Sequence, residues 1–170
     1  MRLVPALLCL AAIAANAQEI APSATLRLSE YSAPTPESIP GARVIGTAEL
    51  RHAVQGPPSG RPLIFDVRGE RQDSLPGAIW LPGAGRGSSY EDAVQRQLAA
   101  TLREVTRGDA SRTLVFFCAG PRCWLSYNAA LRAVKLGYRD VRWYREGVEV
   151  WGEGGGALAQ PVFAWRRPPE

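Results

Sequence analysis

Residues 113–137, TLVFFCAGPRCWLSYNAALRAVKLG, join an apolar strand to a helix through a short loop that contains two cysteines. The β-branched and aromatic run 113–117 predicts a buried strand, and the apolar spacing over 124–136 predicts a helix that ends at Gly137. Cys118 therefore lies where a strand ends and a helix is about to begin. Amides of such a loop and of the first helical turn lack intrahelical partners, so we expect them to stabilise a thiolate, a persulfide or an oxyanion at Cys118.

The first 17 residues have the layout of a secretory signal peptide. Arg2 supplies a positive charge, residues 3–15 form an apolar segment, and Ala15-Asn16-Ala17 is a small-x-small cleavage site. We expect a Sec-type signal and a mature protein that begins near Gln18 and is periplasmic or secreted. The apolar segment is shorter than the roughly 20 residues that span a membrane, so no membrane contact is expected after cleavage.

Cleavage removes Cys9 and leaves Cys118 and Cys123, an even pair in an oxidising compartment. Leu8 precedes Cys9 where a lipoprotein has a small residue, which disfavours a lipid anchor. One interpretation of the remaining pair is a structural disulfide, but a bridge that closes so short a loop constrains the unfolded chain only weakly. Redox or nucleophilic chemistry at these two residues is the favoured interpretation.

The rest of the sequence indicates one α/β domain over residues 44–152. Before it, residues 18–43 are rich in proline and predict an extended arm or linker, and after it residues 153–170 form a tail. Apolar strands that alternate with helices predict a mainly parallel sheet with helices on both faces. The predicted strands are 44–45, 62–68, a short one within 75–82, 113–117 and 141–144. The predicted helices are 47–54, 90–107 and 124–136. Thr47 is the predicted N-cap of the first helix, and Ser88 or Ser89 that of the second. Ligands of such sheets bind beyond the carboxyl ends of the strands, where Cys118 lies.

The net charge of the chain is +4, and its basic residues are mostly arginines spread along the sequence. This distribution predicts no nucleic-acid partner. The cysteine pair and the remote His52, which we expect on the surface of the first helix, fall short of the ligands that a zinc site takes. The sequence therefore predicts no metal and no cofactor.

A series of segments over roughly residues 44–152 resembles a rhodanese domain. These segments are Asp66-Val67-Arg68, Leu75-Pro76-Gly77-Ala78-Ile79, the strand that ends in Cys118, Asn128-Ala129-Ala130, Leu136-Gly137-Tyr138, Val141, and Gly147 with Trp151. Within that superfamily, Cys123-Trp124 and the runs 126–130 and 143–147 resemble secreted proteins that are named for a CxxCW motif and are associated with PQQ-dependent alcohol catabolism. The resemblance implies a single rhodanese-like domain of the α/β class.

The resemblance also implies sulfur transfer. Cys118 would take a sulfane sulfur, hold it as a persulfide among the loop amides and pass it to a thiol or cyanide, so the implied partners are a small sulfur donor or a protein thiol. Cys123 would resolve the persulfide into a disulfide. The candidate substrate-binding residues are Ala119, Gly120, Pro121, Arg122 and Trp124, although core packing is the favoured interpretation of Trp124. Asp66 and Arg68 would support the loop through an ion pair, with contact to a ligand as the alternative role.

Departures from the rhodanese pattern leave other functions open. The segments after Cys118 stand a couple of residues farther from it than in rhodaneses, and a second cysteine is unusual there, so we expect a larger loop. One alternative is a thiol–disulfide redox protein. Another is a non-catalytic accessory with permanently closed cysteines, which binds a secreted dehydrogenase or a transport component. Phosphate-ester hydrolysis is disfavoured because Arg122 stands too close to Cys118 for the spacing which that chemistry uses.

Overall fold

The computed structural model of the chain describes residues 19–164, and a parallel β-sheet forms its centre. Its strands are β1 (Arg43–Val44), β2 (Leu63–Asp66), β3 (Ile79–Trp80), β4 (Leu114–Phe117), β5 (Val141–Tyr144) and β6 (Phe163–Ala164). They lie in the order β1-β5-β4-β2-β3-β6, and every neighbouring pair is parallel. The helices are α1 (Thr47–Gln55), α2 (Ala93–Thr106), α3 (Trp124–Lys135) and α4 (Gly147–Glu153), with a short 3-10 helix at Pro58–Gly60. The predicted signal peptide, 1–17, and residues 165–170 lie outside the described residues.

Alternate residues of the central strands pack on opposite faces of the sheet. Phe65, Phe116 and Trp143 pack with buried side chains of α2 and α3, whereas Ile64 and Val115 pack with those of α1 and α4. A parallel sheet is typically covered in this way, which explains why its strands are apolar throughout. The predicted α/β class, with helices on both faces, is confirmed.

The register brings the carboxyl ends of three neighbouring strands to one edge of the sheet. Asp66 of β2 pairs with Phe117 of β4, which in turn pairs with Tyr144 of β5. The amide of Val67 donates to the carbonyl of Phe117 at 3.1 Å and extends the ladder beyond β2. The segments that follow these strands therefore meet at the edge where ligands of parallel sheets bind.

The start of α2 differs from the prediction. The helix begins at Ala93, later than expected, and its N-cap is Asp92, whose carboxylate accepts a hydrogen bond from the amide of Gln95 at 2.8 Å. The amides of Ser88 and Ser89 also donate to this carboxylate, at 2.8 and 3.1 Å. The two serines are therefore not the caps that we predicted, because Asp92 organises both the preceding turn and the first helical turn.

Thr47 is the first residue of α1 and not its N-cap, a position that Gly46 occupies without a side-chain hydrogen bond. The Thr47 hydroxyl bonds to the hydroxyl of Tyr144 and to the carboxylate of Glu146. The Thr47 amide donates to the same carboxylate at 2.8 Å. Glu146 thus acts as the capping side chain of α1, although it lies 99 residues away in the sequence. No local sequence pattern indicates this contact.

Arg132 ties α3 to the segment before α2, and its side chain is fully buried. It forms an ion pair with Asp92 at 2.9 Å and donates to the side chain of Gln95 and to the carbonyls of Arg86 and Ser89. Burial raises the pKa of Asp92, but the hydrogen bonds from Arg132 and from the preceding amides outweigh it and lower that pKa from 3.8 to about 2. Both charges of the pair are therefore retained inside the domain.

The proline-rich arm, residues 19–42, forms no helix or strand but packs closely against the domain. Leu26 and Ile39 belong to the same core as α2 and α3. The hydroxyl of Tyr127 bonds to the backbone of Ser23, and the side-chain amide of Asn128 donates to the carbonyl of Arg27 at 2.7 Å. The arm is thus an integral part of the fold.

Candidate active site

The cysteine loop leaves the carboxyl end of β4 and ends at the first residue of α3. Cys118 directly follows β4 and is only 4% exposed, and Cys123 occupies the N-cap position of α3. The two sulfurs form a disulfide, with Cα atoms 6.1 Å apart. The amide of Cys123 donates to the carbonyl of Gly120 at 3.0 Å and closes a turn within the loop. The two cysteines expected to be catalytic therefore lie together, in the oxidised form.

The first turn of α4 holds the other side of the loop. The amide of Val148 donates to the carbonyl of Cys118 at 3.1 Å, and that of Glu149 to the carbonyl of Ala119 at 3.0 Å. Gly147 has a φ of +66°, and a Cβ there would lie 2.4 Å from the Ala119 oxygen. Only glycine allows α4 to approach the loop so closely.

The loop amides are only partly available for a ligand. The amide of Trp124 has no intrahelical partner, as expected, but it donates to the carbonyl of Tyr31 at 2.9 Å and is not available to a ligand. In residues 19–164, the amides of Ala119, Gly120 and Arg122 donate to no other protein group. These three amides can interact with an anionic sulfur.

A cavity of about 850 Å³ lies against the disulfide loop. It is lined by loop residues Cys118, Ala119, Gly120, Pro121, Arg122 and Cys123, by Arg68, Gly69, Glu70 and Gln72 after β2, by Val148 and Glu149 of α4, and by Ser32 and Leu125. The structure thus brings together both cysteines and four of the five residues that we expected to bind substrate. The exception is Trp124.

Trp124 lies beneath the arm and does not line this cavity. Its side chain is buried, its indole N–H donates to the carbonyl of Pro34 at 3.0 Å, and its ring packs edge-on against Tyr127 with centroids 5.0 Å apart. The guanidinium of Arg27 covers the ring, 4.8 Å from its centroid. This position corresponds to core packing, the interpretation that the sequence favoured, and not to a wall of the cavity.

Arg122 is exposed at the rim of the cavity. Its side chain makes one hydrogen bond among the described residues, a 3.4 Å contact from Nη2 to the carbonyl of Ser32. The structure contains no ion pair that neutralises its guanidinium within residues 19–164. Its charge is therefore available to a ligand.

Asp66 and Arg68 form the predicted ion pair beside the loop. Arg68 Nη2 lies 2.7 Å from Asp66 Oδ2, and the carboxylate also accepts from the hydroxyl of Ser74 at 2.6 Å. The side chain of Asp66 is 1% exposed and that of Arg68 is 12% exposed. Arg68 lines the cavity, and Asp66 behind it compensates its charge.

Thr35 fixes the arm to the cysteine loop. Its amide and its hydroxyl both donate to the carbonyl of Pro121, at 3.2 and 2.6 Å. Arg145 in turn donates to the hydroxyl and to the carbonyl of Thr35, each at 3.1 Å. The sequence does not predict this contact, because the arm has no periodic pattern that would indicate where it docks.

Residues 19–164 bring together no three His, Cys, Asp or Glu side chains in an arrangement that could hold a metal ion. His52 is exposed on α1. No helix in this part of the chain is long and apolar enough to cross a bilayer.

Proteins of several sizes share the fold of this chain. The sequence profile of the family described as Rhodanese-like domain matches residues 47–153. Among solved structures, a thiosulfate sulfurtransferase from Pseudomonas aeruginosa is 20% identical, with a TM-score of 0.52 over 72% of this chain and 21% of that one. Protein BH2092 from Bacillus halodurans is 20% identical, with a TM-score of 0.53 over 71% and 79%. EanB bound to hercynine is 16% identical, with a TM-score of 0.52 over 70% and 32%.

These similarities differ in how much of the other protein they cover. The matched part of this chain spans about a fifth of the Pseudomonas sulfurtransferase and about a third of EanB. No curated protein matches the sequence. At such identities the structures show a common fold.

Proposed function

Since the chain belongs to the rhodanese-like domain family, we propose that it is a periplasmic or secreted protein that transfers sulfur through a persulfide on Cys118. The observation behind this proposal is the position of Cys118, which ends a central strand and lines a cavity beside unpaired loop amides. Amides so placed stabilise negative charge on a bound sulfur. The shared fold of a thiosulfate sulfurtransferase supports the same chemistry.

Sulfur transfer starts from the reduced cysteine pair. The Cys118 thiolate attacks the sulfane sulfur of a donor such as thiosulfate. The S–S bond of the donor breaks, sulfite leaves with the bonding electrons, and Cys118 becomes a persulfide. An acceptor thiolate or cyanide then attacks the terminal sulfur, and Cys118 leaves as a thiolate.

Cys123 provides a second route from the persulfide. Its thiolate attacks the sulfur of Cys118, the persulfide S–S bond breaks, and the departing sulfur takes up a proton and leaves as hydrosulfide. The product is the Cys118–Cys123 disulfide that the structure contains. The two cysteines have then given two electrons to the sulfane sulfur, so a thiol reductant must open the disulfide before the next cycle.

The disulfide also favours a second candidate, a thiol–disulfide redox protein in which electrons and not sulfur are transferred. For the physiological setting we propose PQQ-dependent alcohol catabolism, with a secreted dehydrogenase or a transport component as the protein partner. This part of the proposal depends on the resemblance of Cys123-Trp124 and the runs 126–130 and 143–147 to the CxxCW proteins.

Mass spectrometry of the mature protein tests sulfur transfer. The protein is alkylated before and after mild reduction, and again after the reduced form has met thiosulfate or a polysulfide. We expect Cys118 to gain one sulfur atom, Cys118→Ser to gain none, and Cys123→Ser to keep the added sulfur longer because no thiol resolves it. A disulfide that mild reduction opens easily, with no sulfur uptake by the freed Cys118, would support the redox candidate instead. One that resists mild reduction would leave a binding module.

A further inference from the structure

The ionisable side chains around the cavity leave an excess of negative charge. Arg68 is neutralised by Asp66, so the groups that remain are Glu70, Glu149 and Arg122. Within residues 19–164, neither glutamate side chain forms a hydrogen bond or an ion pair. The cavity lining thus carries two uncompensated carboxylates and one uncompensated guanidinium. Such a surface repels anions and attracts cations.

The carboxylate of Glu149 lies against the cysteine loop. Its own amide is fixed to the carbonyl of Ala119 at 3.0 Å. A Cβ placed on Gly120 would lie 2.1 Å from Glu149 Oε2, so the carboxylate rests directly against this glycine, between Cys118 and Cys123 in the loop. The residue is exposed, and an entering ligand can reach it.

We propose that the site selects small aminothiols and their persulfides, and that Glu149 determines this specificity. The inference rests on the proposed thiol chemistry at Cys118 and names its substrate class. An ammonium group on the ligand would interact with Glu149 while the ligand sulfur reaches the cysteines, whereas the same carboxylate would slow, without preventing, the reaction of an anionic donor such as thiosulfate.

The chemistry is the same for any thiol of this class. With an aminothiol persulfide, the Cys118 thiolate attacks the terminal sulfur, the S–S bond breaks, and the aminothiol leaves as a thiolate. With the Cys118–Cys123 disulfide, an aminothiol thiolate attacks one cysteine sulfur and displaces the other as a thiolate. A second aminothiol thiolate then attacks the aminothiol sulfur of this mixed disulfide, the cysteine leaves as a thiolate, and the aminothiol disulfide is released. The ammonium group is unchanged throughout and serves recognition only.

Two thiols with equal spacers test the proposal: cysteamine carries an ammonium group and 3-mercaptopropionate a carboxylate. The rate at which each reduces the disulfide is measured by alkylation and mass spectrometry in the wild type, in Glu149→Gln and in Glu153→Gln. Glu153 is the matched control, because it is exposed on the same helix but does not line the cavity. Dividing the wild-type rate ratio of the two thiols by the variant ratio cancels their intrinsic reactivities.

We expect the wild-type preference for cysteamine to exceed that of Glu149→Gln by about three- to tenfold, and to weaken as salt is added. Glu153→Gln should keep the wild-type ratio. An unchanged ratio in Glu149→Gln, or an equal change in Glu153→Gln, overturns the proposal. Sulfur uptake by Cys118 from the persulfides of the same two thiols is measured separately, so that failure of the specificity proposal can be told from failure of sulfur transfer. Charge preference in reduction without sulfur uptake contradicts only the proposed transfer, whereas uptake without charge preference contradicts only the specificity.

Discussion

Arg132 depends on its partners to compensate its charge, because its side chain has no exposure to solvent. Asp92 supplies the compensating charge at 2.9 Å. Removing one partner of a buried pair leaves the other charge uncompensated in a medium of low polarity. We therefore expect Asp92→Asn to lower the free energy of unfolding by about 3 kcal/mol in urea denaturation. Glu91→Gln is the control, since Glu91 is exposed next to it, and equal losses in the two variants would contradict the prediction.

Asp92 should also make the stability depend on pH. Its pKa is about 2 in the folded chain and 3.8 ordinarily, so the folded form binds fewer protons between these values. The stabilisation by the carboxylate is therefore complete above about pH 4 and is lost as the pH falls through about 2. We expect the unfolding free energy of Asp92→Asn to fall less than that of the wild type over this interval. If the unfolding free energies of the wild type and of Asp92→Asn changed equally with pH, the ion pair with Arg132 would not lower the pKa of Asp92.

The arm and the cysteine loop behave as one structural unit, which a change at Thr35 tests. Thr35→Val keeps the shape of the side chain but removes the hydroxyl that donates to the carbonyl of Pro121 and accepts from Arg145. These contacts stabilise the loop in its disulfide form. We expect the variant to raise the reduction potential of the disulfide by about 20 mV, the equivalent of about 1 kcal/mol for one hydrogen bond.

Redox titration of the disulfide against glutathione measures this shift. Ser23→Ala is a suitable control in the same arm, because Ser23 contacts Tyr127 through its backbone and its hydroxyl bonds only to an exposed amide. If both variants titrate like the wild type, the arm does not stabilise the oxidised loop.

Elements with a strong local signal were predictable, and those that depend on distant contacts were not. The apolar runs of β2, β4 and β5 and the amphipathic pattern of α3 appear where the sequence predicts them. The helix α4 escaped prediction because it is short and begins at Gly147, whose positive φ is needed only once the loop carbonyls lie against it. The strand β6 has two residues and exists through its pairing with β3.

The site shows the same division. Cys118, Asp66 and Arg68 could be identified because they follow apolar strands, and the carboxyl ends of parallel strands meet at one edge. Thr35 and Glu149 could not, since neither stands in a segment whose pattern indicates its neighbours. Their positions beside the loop follow from hydrogen bonds to it that join distant parts of the sequence.

The core of the molecule extends beyond residues 47–153, the part that matches the family profile. Leu26 and Ile39 of the arm are buried with α2 and α3, and β1 and β6 complete the two edges of the sheet. A fully buried leucine or isoleucine contributes about 1.5–3 kcal/mol relative to an exposed one, so losing both, with the edge strands, removes much of the stability of a domain this size.

We therefore expect a protein of residues 47–153 to melt more than about 10 °C below one of residues 19–164. The shorter protein should also bind a hydrophobic dye, because the side chains of α3 that the arm covers, Trp124 among them, would face water. Differential scanning calorimetry with a dye titration checks both effects. Equal melting temperatures would mean that the arm docks on a domain already stable without it. The hydrogen bonds from Thr35 to the cysteine loop would then serve the redox chemistry of the loop and not the fold.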